Sequence, residues 1–314
     1  MCCCPYHENF KLLISGMRRH FPNLPQPEEL IQRTVCGCNF QCYYGICNEC
    51  SDYADNLSDV LVPRSDDPDF DIPYYQWTGQ YRKVLVTTSL SEAKIELFRQ
   101  LAGMRAHTFI AKSQLYQVKK LRQRLSENEA VLQEDFSENF AVQQQNEIMS
   151  AHWIKQEITV FTTVLYHDGS TKSFCVISDE LHHDKYSVAA FNRSILKKCN
   201  INGKITNLHV FSDGAGSQFK NRYTLSNIIW PKKLNCHLGS IDWSFFGTAH
   251  GKGPVDGVGG TVKRGAWWRI LSGEVIVNNA SEFADAARSC CPNIQIIHVP
   301  SNEIDNVRRE FQEL

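Results

Sequence analysis

Apolar positions recur along this chain with two distinct rhythms. From Ser89 to Leu125 they return every seven residues, at Leu90, Leu97, Met104, Ala111, Val118 and Leu125, with Leu101 and Leu115 on the adjoining line. That period predicts a long amphipathic helix. Ser89-x-x-Glu92 is a capping box for its start, and Gly103 is a point where it could divide in two. Beyond it the period shortens. Ala130 to Phe140 reads as a strand with Asp135 near its middle. Glu157–His167 and Thr171–Asp179 are β-rich runs joined by Asp168-Gly169, a strong hairpin signal. A short helix is expected from Gln145 to Gln156 and another from Tyr186 to Cys199. The run Leu208, Val210, Phe211 then breaks off at Ser212-Asp213-Gly214, the pattern of a buried strand that ends in a carboxylate and turns through glycine. Ser240–Gly247 is a further apolar run, and a glycine-rich stretch leads to Asp256 at the start of a helix. A strand (Glu274–Val277), a short helix (Ala280–Arg288), a strand (Ile294–Val299) and a helix from Pro300 complete the reading.

These elements divide the chain into a Cys/His region (1–50), an Asp-, Pro- and Tyr-rich loop (51–83), a basic helical segment (84–129), an α/β core (130–275) and an α/β extension (276–314). The 314 residues carry a net charge of −1, so the chain as a whole does not advertise nucleic-acid binding. Charge is nevertheless segregated. Gly103–Leu125 holds Arg105, Lys112, Lys119, Lys120, Arg122 and Arg124 with no acid, a candidate phosphate-facing surface. No apolar run approaches the roughly 20 residues of a membrane span, and Met1–Phe10 lacks the basic start and apolar core of a signal peptide. The expected location is nuclear or cytoplasmic, not secreted.

Eight of the thirteen cysteines lie in the first 50 residues. Without a secretion signal, that favours metal over disulfides. Cys4-x-x-His7 and Cys47-x-x-Cys50 each have the spacing at which one turn offers two ligands to tetrahedral zinc. The expected zinc set is Cys4, His7, Cys47 and Cys50, with Cys36, Cys38 and Cys42 as alternates or a second site.

The order of elements is a strand with Asp135, two strands as a hairpin, a helix, a strand with Asp213 and later a helix with Asp256. This is the layout of a ribonuclease H-like fold, a mixed five-stranded sheet with flanking helices. Its first and fourth strands lie side by side and bring remote acids together. An Asp in a strand that is otherwise apolar is costly unless ligated or paired. Three such acids together suit two hard cations bound through oxygen.

The segments DFSENF, QNEIMSAHW, FSDGAGSQFKNRY and FFGTAHGKGPVDGVGGTVKR resemble the blocks of transposon-derived proteins with a DDE/D transposase core. The resemblance covers roughly residues 85–270, and the Cys/His region before it also occurs in that family. It implies DNA strand cleavage and transfer with Mg²⁺ or Mn²⁺ held by Asp135, Asp213 and Asp256, the last standing where better-known transposases usually have Glu. It also implies DNA as partner, self-association on DNA, and His250, Lys252 and Lys263 near the active site or the DNA backbone. Lys220, Arg222 and Arg264 are further backbone candidates. The family's usual DNA-binding domain ahead of the cysteines has no counterpart here, so the expectation is a fragment or a domesticated copy. The alternative is a non-catalytic, transposase-derived DNA- or chromatin-binding protein with a structural zinc. Gly251–Gly260 does not fit a phosphate-binding loop or a dinucleotide fold, so no nucleotide cofactor is expected. Asp179, Glu180, His182, His183 and Asp184 read as a polar loop opening the next helix. Trp243, Trp267 and Trp268 could stack on bases but suit core packing better.

Overall fold

The computed structural model describes residues 4–37, 39–50, 53–64, 70–153, 155–199, 203–229, 238–247, 251 and 253–312. Cys38, His250 and Lys252 lie outside these. The chain forms two compact units, Met1–Tyr116 and Gln117–Leu314. Among the described residues, no helix is long and apolar enough to cross a membrane.

In the first unit, helix α1 (Pro5–Met17) begins at Cys4 and presents Phe10, Leu13, Ile14 and Met17 to the interior. Helices α2 (Pro27–Arg33) and α3 (Phe40–Tyr43) follow, and then a two-stranded hairpin of β1 (Asp71–Trp77) and β2 (Lys83–Ser89). This hairpin occupies much of the stretch expected to be loop. The acids around it and Pro73 within it conceal an alternation in which Ile72 and Tyr74 point inward. A two-stranded hairpin tolerates Pro because its strands are edges. α1 crosses the hairpin at Gly16, where an added Cβ would lie 2.6 Å from the Tyr74 side chain. Asn9 closes the crossing by donating to the Trp77 carbonyl and accepting from its amide, at 3.0 and 2.8 Å.

Helix α4 (Leu90–Arg122) runs unbroken through Gly103. Its start has the expected capping box, with the Glu92 carboxylate accepting from the Ser89 amide at 3.0 Å. Leu97, Leu101 and Met104 are buried as the seven-residue period requires, whereas Leu115 is exposed. The basic face is smaller than the charge count suggests. Arg105 is 2% exposed, donates to the Cys42 carbonyl and lies 4.6 Å from the centre of the Tyr53 ring. Arg122 sits 3.6 Å from the centre of the Tyr166 ring.

The second unit is a mixed sheet between two layers of helices. Its strands are β3 (Glu129–Phe136), the short β4 (Phe140–Ala141), β5 (Glu157–His167), β6 (Ser170–Ser178), β7 (Asn207–Ser212), β8 (Ser240–Phe245) and β9 (Ile294–His298). They lie in the order β8-β7-β3-β5-β6-β9, with β4 paired to the start of β5. β8 and β7 run parallel to β3, β5 is antiparallel to both of its long neighbours, and β9 is parallel to β6. The β5–β6 turn places Asp168 and Gly169 at positive φ (49° and 65°), the twist a two-residue hairpin needs. β5 is buried on both faces nearly from end to end because helices cover both. Helices α5 (Lys185–Cys199) and α9 (Ser301–Gln312) cover one face. α7 (Pro254–Leu271) and α8 (Ala280–Cys290) cover the other. The short α6 (Arg222–Ile229) follows the loop after β7.

Three expectations are corrected. The sheet has more than five strands: residues 294–298 extend it beyond β6, so the C-terminal segment is part of this unit. Among the described residues of 145–156 the helical content is one 3-10 turn, Met149–His152, flanked by exposed Ile148 and Trp153 that give a helix no face to bury. Glu274–Val277 is not a strand, since the Val277 carbonyl accepts from the Gln144 side chain instead of from a neighbouring strand.

Candidate functional site

Asp135 lies on β3, and Asp213 directly follows the last residue of the adjacent parallel strand β7. The register pairs Leu132 with Val210 and Gln133 with Phe211. Two residues further, the same register sets Asp135 beside Asp213 as β7 ends. Side chains alternate across a strand, so Asp135 shares the face of Val131 and Asp213 that of Phe211. Val131 and Phe211 both pack in the core under α7, with Val255, Val258 and Val262. Asp256 enters from the first turn of that helix. All three acids therefore gather on one face, at the carboxyl end of β3 and β7.

α7 lies close enough for this because of Gly259, where a Cβ would stand 2.8 Å from Ser137 Oγ and 3.3 Å from the Thr162 methyl. Lys263, one turn on, donates to the Glu138 carbonyl at 3.0 Å. Asp213 is fixed by its own loop, its Oδ1 accepting from the Ala215 amide at 3.0 Å. Asp256 accepts from the Gly253 amide at 2.7 Å and so caps its helix. One of its oxygens has a structural task already, and the residue is exposed.

Electrostatics single out Asp135. Burial, reinforced by the charges of Asp213 and Asp256, raises its pKa to about 7. Carboxylates crowded in a partly desolvated place resist ionising together, and a cation relieves both costs.

Sequence reading passed over its neighbour Glu134. On the opposite face of β3, Glu134 is 1% exposed, and burial raises its pKa to about 8. Asn192 of α5 donates to its Oε1 at 3.3 Å, while Glu134 Oε2 and Asn192 Oδ1 are buried without partners. Burial favours the protonated form, in which the carboxyl gains a donor as well as acceptors. The signal was available: two consecutive acids in a buried strand place one on each face.

The basic candidates scatter. Arg264 is exposed; Lys220 is exposed near the Phe245 ring, 5.7 Å from its centre; Arg222 donates to the Tyr223 hydroxyl. Asp184 caps α5, accepting from the Tyr186 and Ser187 amides at 2.9 and 3.0 Å, as a loop-forming role requires. Trp243 donates to Ser212 Oγ at 2.9 Å and Trp267 packs against the core, whereas Trp268 is exposed.

The first unit holds a second kind of cluster. Cys36, Cys42, Cys47 and Cys50 place their sulfurs within 4.8 Å of one another, a group that could hold a metal such as zinc. Cys36 lies 3.5 Å from Cys42 and 3.6 Å from Cys47, close to the roughly 3.8 Å between sulfurs of a tetrahedral zinc site. The amides of Glu49 and Cys50 turn toward the Cys47 sulfur and lower its pKa to about 7. The expected set of Cys4, His7, Cys47 and Cys50 is thereby corrected. α3, starting at the Asn39 cap, carries Cys42 to the Cys47–Cys50 turn, and Cys4 and His7 group with His107 instead.

The family model described as Domain of unknown function (DUF8701) matches residues 114–314, and the one described as Domain of unknown function (DUF8700) matches residues 5–102. No curated protein matches the chain.

Proposed function

The chain belongs to the first of these families, DUF8701, whose description names no activity; from the site itself we propose a metal-dependent polynucleotidyl transferase of the DDE/D type, acting on DNA. One observation carries the proposal: the β3–β7 register aligns Asp135 with Asp213 under the helix that bears Asp256, and crowding there raises the Asp135 pKa to about 7. The strand order, with parallel β7 and β8 on one side of β3 and the antiparallel β5 followed by β6 on the other, supports a ribonuclease H-like reading of the sheet with an added edge strand. That order also supports the resemblance to transposase-derived proteins.

Asp135, Asp213 and Asp256 would hold Mg²⁺ or Mn²⁺, which when bound supplies charge stabilisation for attacking and leaving oxygens at phosphorus. The residues themselves fix the geometry. The sheet holds Asp135 rigidly, the Ala215 amide orients Asp213, and the Gly253 cap orients Asp256. Ionised Asp135 is disfavoured until a cation arrives, so the empty site rejects excess negative charge. Exposed Lys220, Arg222 and Arg264 are available to phosphates and would position DNA without reading its sequence.

The capping role of Asp256 favours a second reading, a DNA-binding module without chemistry, because that residue is explained structurally without a metal. Nicking of supercoiled DNA separates the two. Mg²⁺- or Mn²⁺-dependent nicking that falls about 100-fold or more in Asp213→Asn is the expected result. Salt-sensitive DNA binding with no nicking under either cation would establish the second reading instead.

A further inference from the structure

The interior of the first unit is lined by two helical stripes. On α1 the stripe runs through Met17, Ile14, Leu13 and Phe10, all at most 2% exposed. On α4 it runs through Leu97, Leu101 and Met104, also at most 2% exposed. Residues three apart on a helix share a face. Continuing each stripe by that step gives His7 and Cys4 on α1, and His107 on α4. Where further apolar residues would extend the core, both helices present metal-ligand types.

The three meet. Cys4 Sγ lies 3.0 Å from His7 Nδ1 and 3.4 Å from His107 Nε2. The ring centres of His7 and His107 are 5.0 Å apart with planes inclined by 58°, so the rings converge without stacking. Zinc at about 2.3 Å from sulfur and about 2.0 Å from nitrogen holds the two roughly 3.5 Å apart. Cys4 is 1% exposed, and it begins α1, where its sulfur accepts from the His7 amide at 3.5 Å.

We propose that Cys4, His7 and His107 form a second zinc site, separate from the four-cysteine cluster, that fastens the start of α1 to the middle of α4. Among the described residues the site supplies one thiolate and two imidazoles. The two sites differ in donor set, all sulfur against one sulfur and two nitrogens. Cys4 and His7 lie one turn apart, and His107 is 100 residues beyond His7 in sequence, so the metal closes a long loop. Its loss should therefore free the α1 start relative to the hairpin and α4.

Zinc content and zinc X-ray absorption of the purified full chain test this. Two zinc ions per chain are expected in the wild type, with an average shell containing both sulfur and nitrogen. His107→Ala should hold one, in an all-sulfur shell, and His107→Cys should restore two. One zinc per chain in the wild type with a purely sulfur shell would overturn the proposal. Two zinc ions retained in His107→Ala would overturn it as well. Should His107→Ala fail to fold, the wild-type stoichiometry and shell decide the matter without it. Thiol–imidazole hydrogen bonding alone corresponds to the one-zinc, all-sulfur outcome.

Discussion

The two units gather chemistry in opposite ways. In Met1–Tyr116 the ligand-type residues are soft, sulfur and imidazole, and the four cysteines of one cluster lie within fifteen residues of each other. In Gln117–Leu314 the candidate ligands are hard carboxylates from two strands and a helix, 78 and 43 residues apart. Soft thiolates suit zinc, while carboxylates suit Mg²⁺ and Mn²⁺. A small unit with a modest core gains most from a staple, since metal binding and folding are one equilibrium. The larger unit has helices on both faces of its sheet. In the first unit metal would be part of the structure, and in the second a visitor to it.

Chelation breaks that contrast most severely. Removing zinc should unfold much of Met1–Tyr116, because a structural zinc is worth on the order of 10 kcal/mol. The sheet of Gln117–Leu314 should keep its hydrogen-exchange protection. Equal loss of protection in β3–β7 would show that the sheet depends on the metal as well. Cys47→Ser should reproduce the chelated state in part, since it removes one of the four sulfurs.

A smaller effect concerns the buried acid that sits outside the proposed chemistry. Glu134→Ala strands the Asn192 amide and opens a void, and should cost about 2–4 kcal/mol in urea unfolding. Glu134→Gln keeps the hydrogen-bonding hydrogen and should cost under about 1 kcal/mol. As pH rises from about 4.5 to the Glu134 pKa of about 8, the Gln variant should gain on the wild type. The sign follows from linkage. A carboxyl with a raised folded pKa contributes its stability fully below the unfolded pKa and loses it as pH rises through the folded one. Similar losses in both variants would mean that shape matters here and the proton does not.

Smallest is the pH signature of Asp135. Its folded pKa of about 7 stands above the ordinary carboxylate value, so stability should fall as pH rises from about 4 to 7. Asp135→Asn should remove that slope, raising the melting temperature at pH 8 by a few degrees, about 2–4 °C per kcal/mol for a unit of this size. Added Mg²⁺ should recover the loss in the wild type and do nothing for the variant. A slope that persists in Asp135→Asn assigns the titration elsewhere.

How much of this could be read from sequence depended on the range of the contacts. The hairpin at Asp168-Gly169, the Ser89 cap, and the strands carrying Asp135 and Asp213 each announce themselves locally, and the order of strands then limits who can be neighbours. The partition of the cysteines and histidines was hidden. Two-residue spacings suggest ligand pairs but leave the pairing between distant turns open. His107 looks like one more polar residue in a long helix, and only the packing of α1 against α4 gives it a role. The hairpin at 71–89 was hidden by Pro73 and by exposed Asp71 at its start. Glu134 was hidden by Asp135, the more conspicuous break in the same apolar strand.

The central claim is that Asp135, Asp213 and Asp256 form one cation site. Calorimetric titration of the zinc-loaded chain with Mn²⁺ tests it most directly, run at pH 6 and at pH 8 and repeated with Asp213→Asn. Saturable binding that tightens as Asp135 deprotonates between those pH values, and that disappears in the variant, is the predicted result. Affinity that is indifferent to both the pH and Asp213 would contradict it.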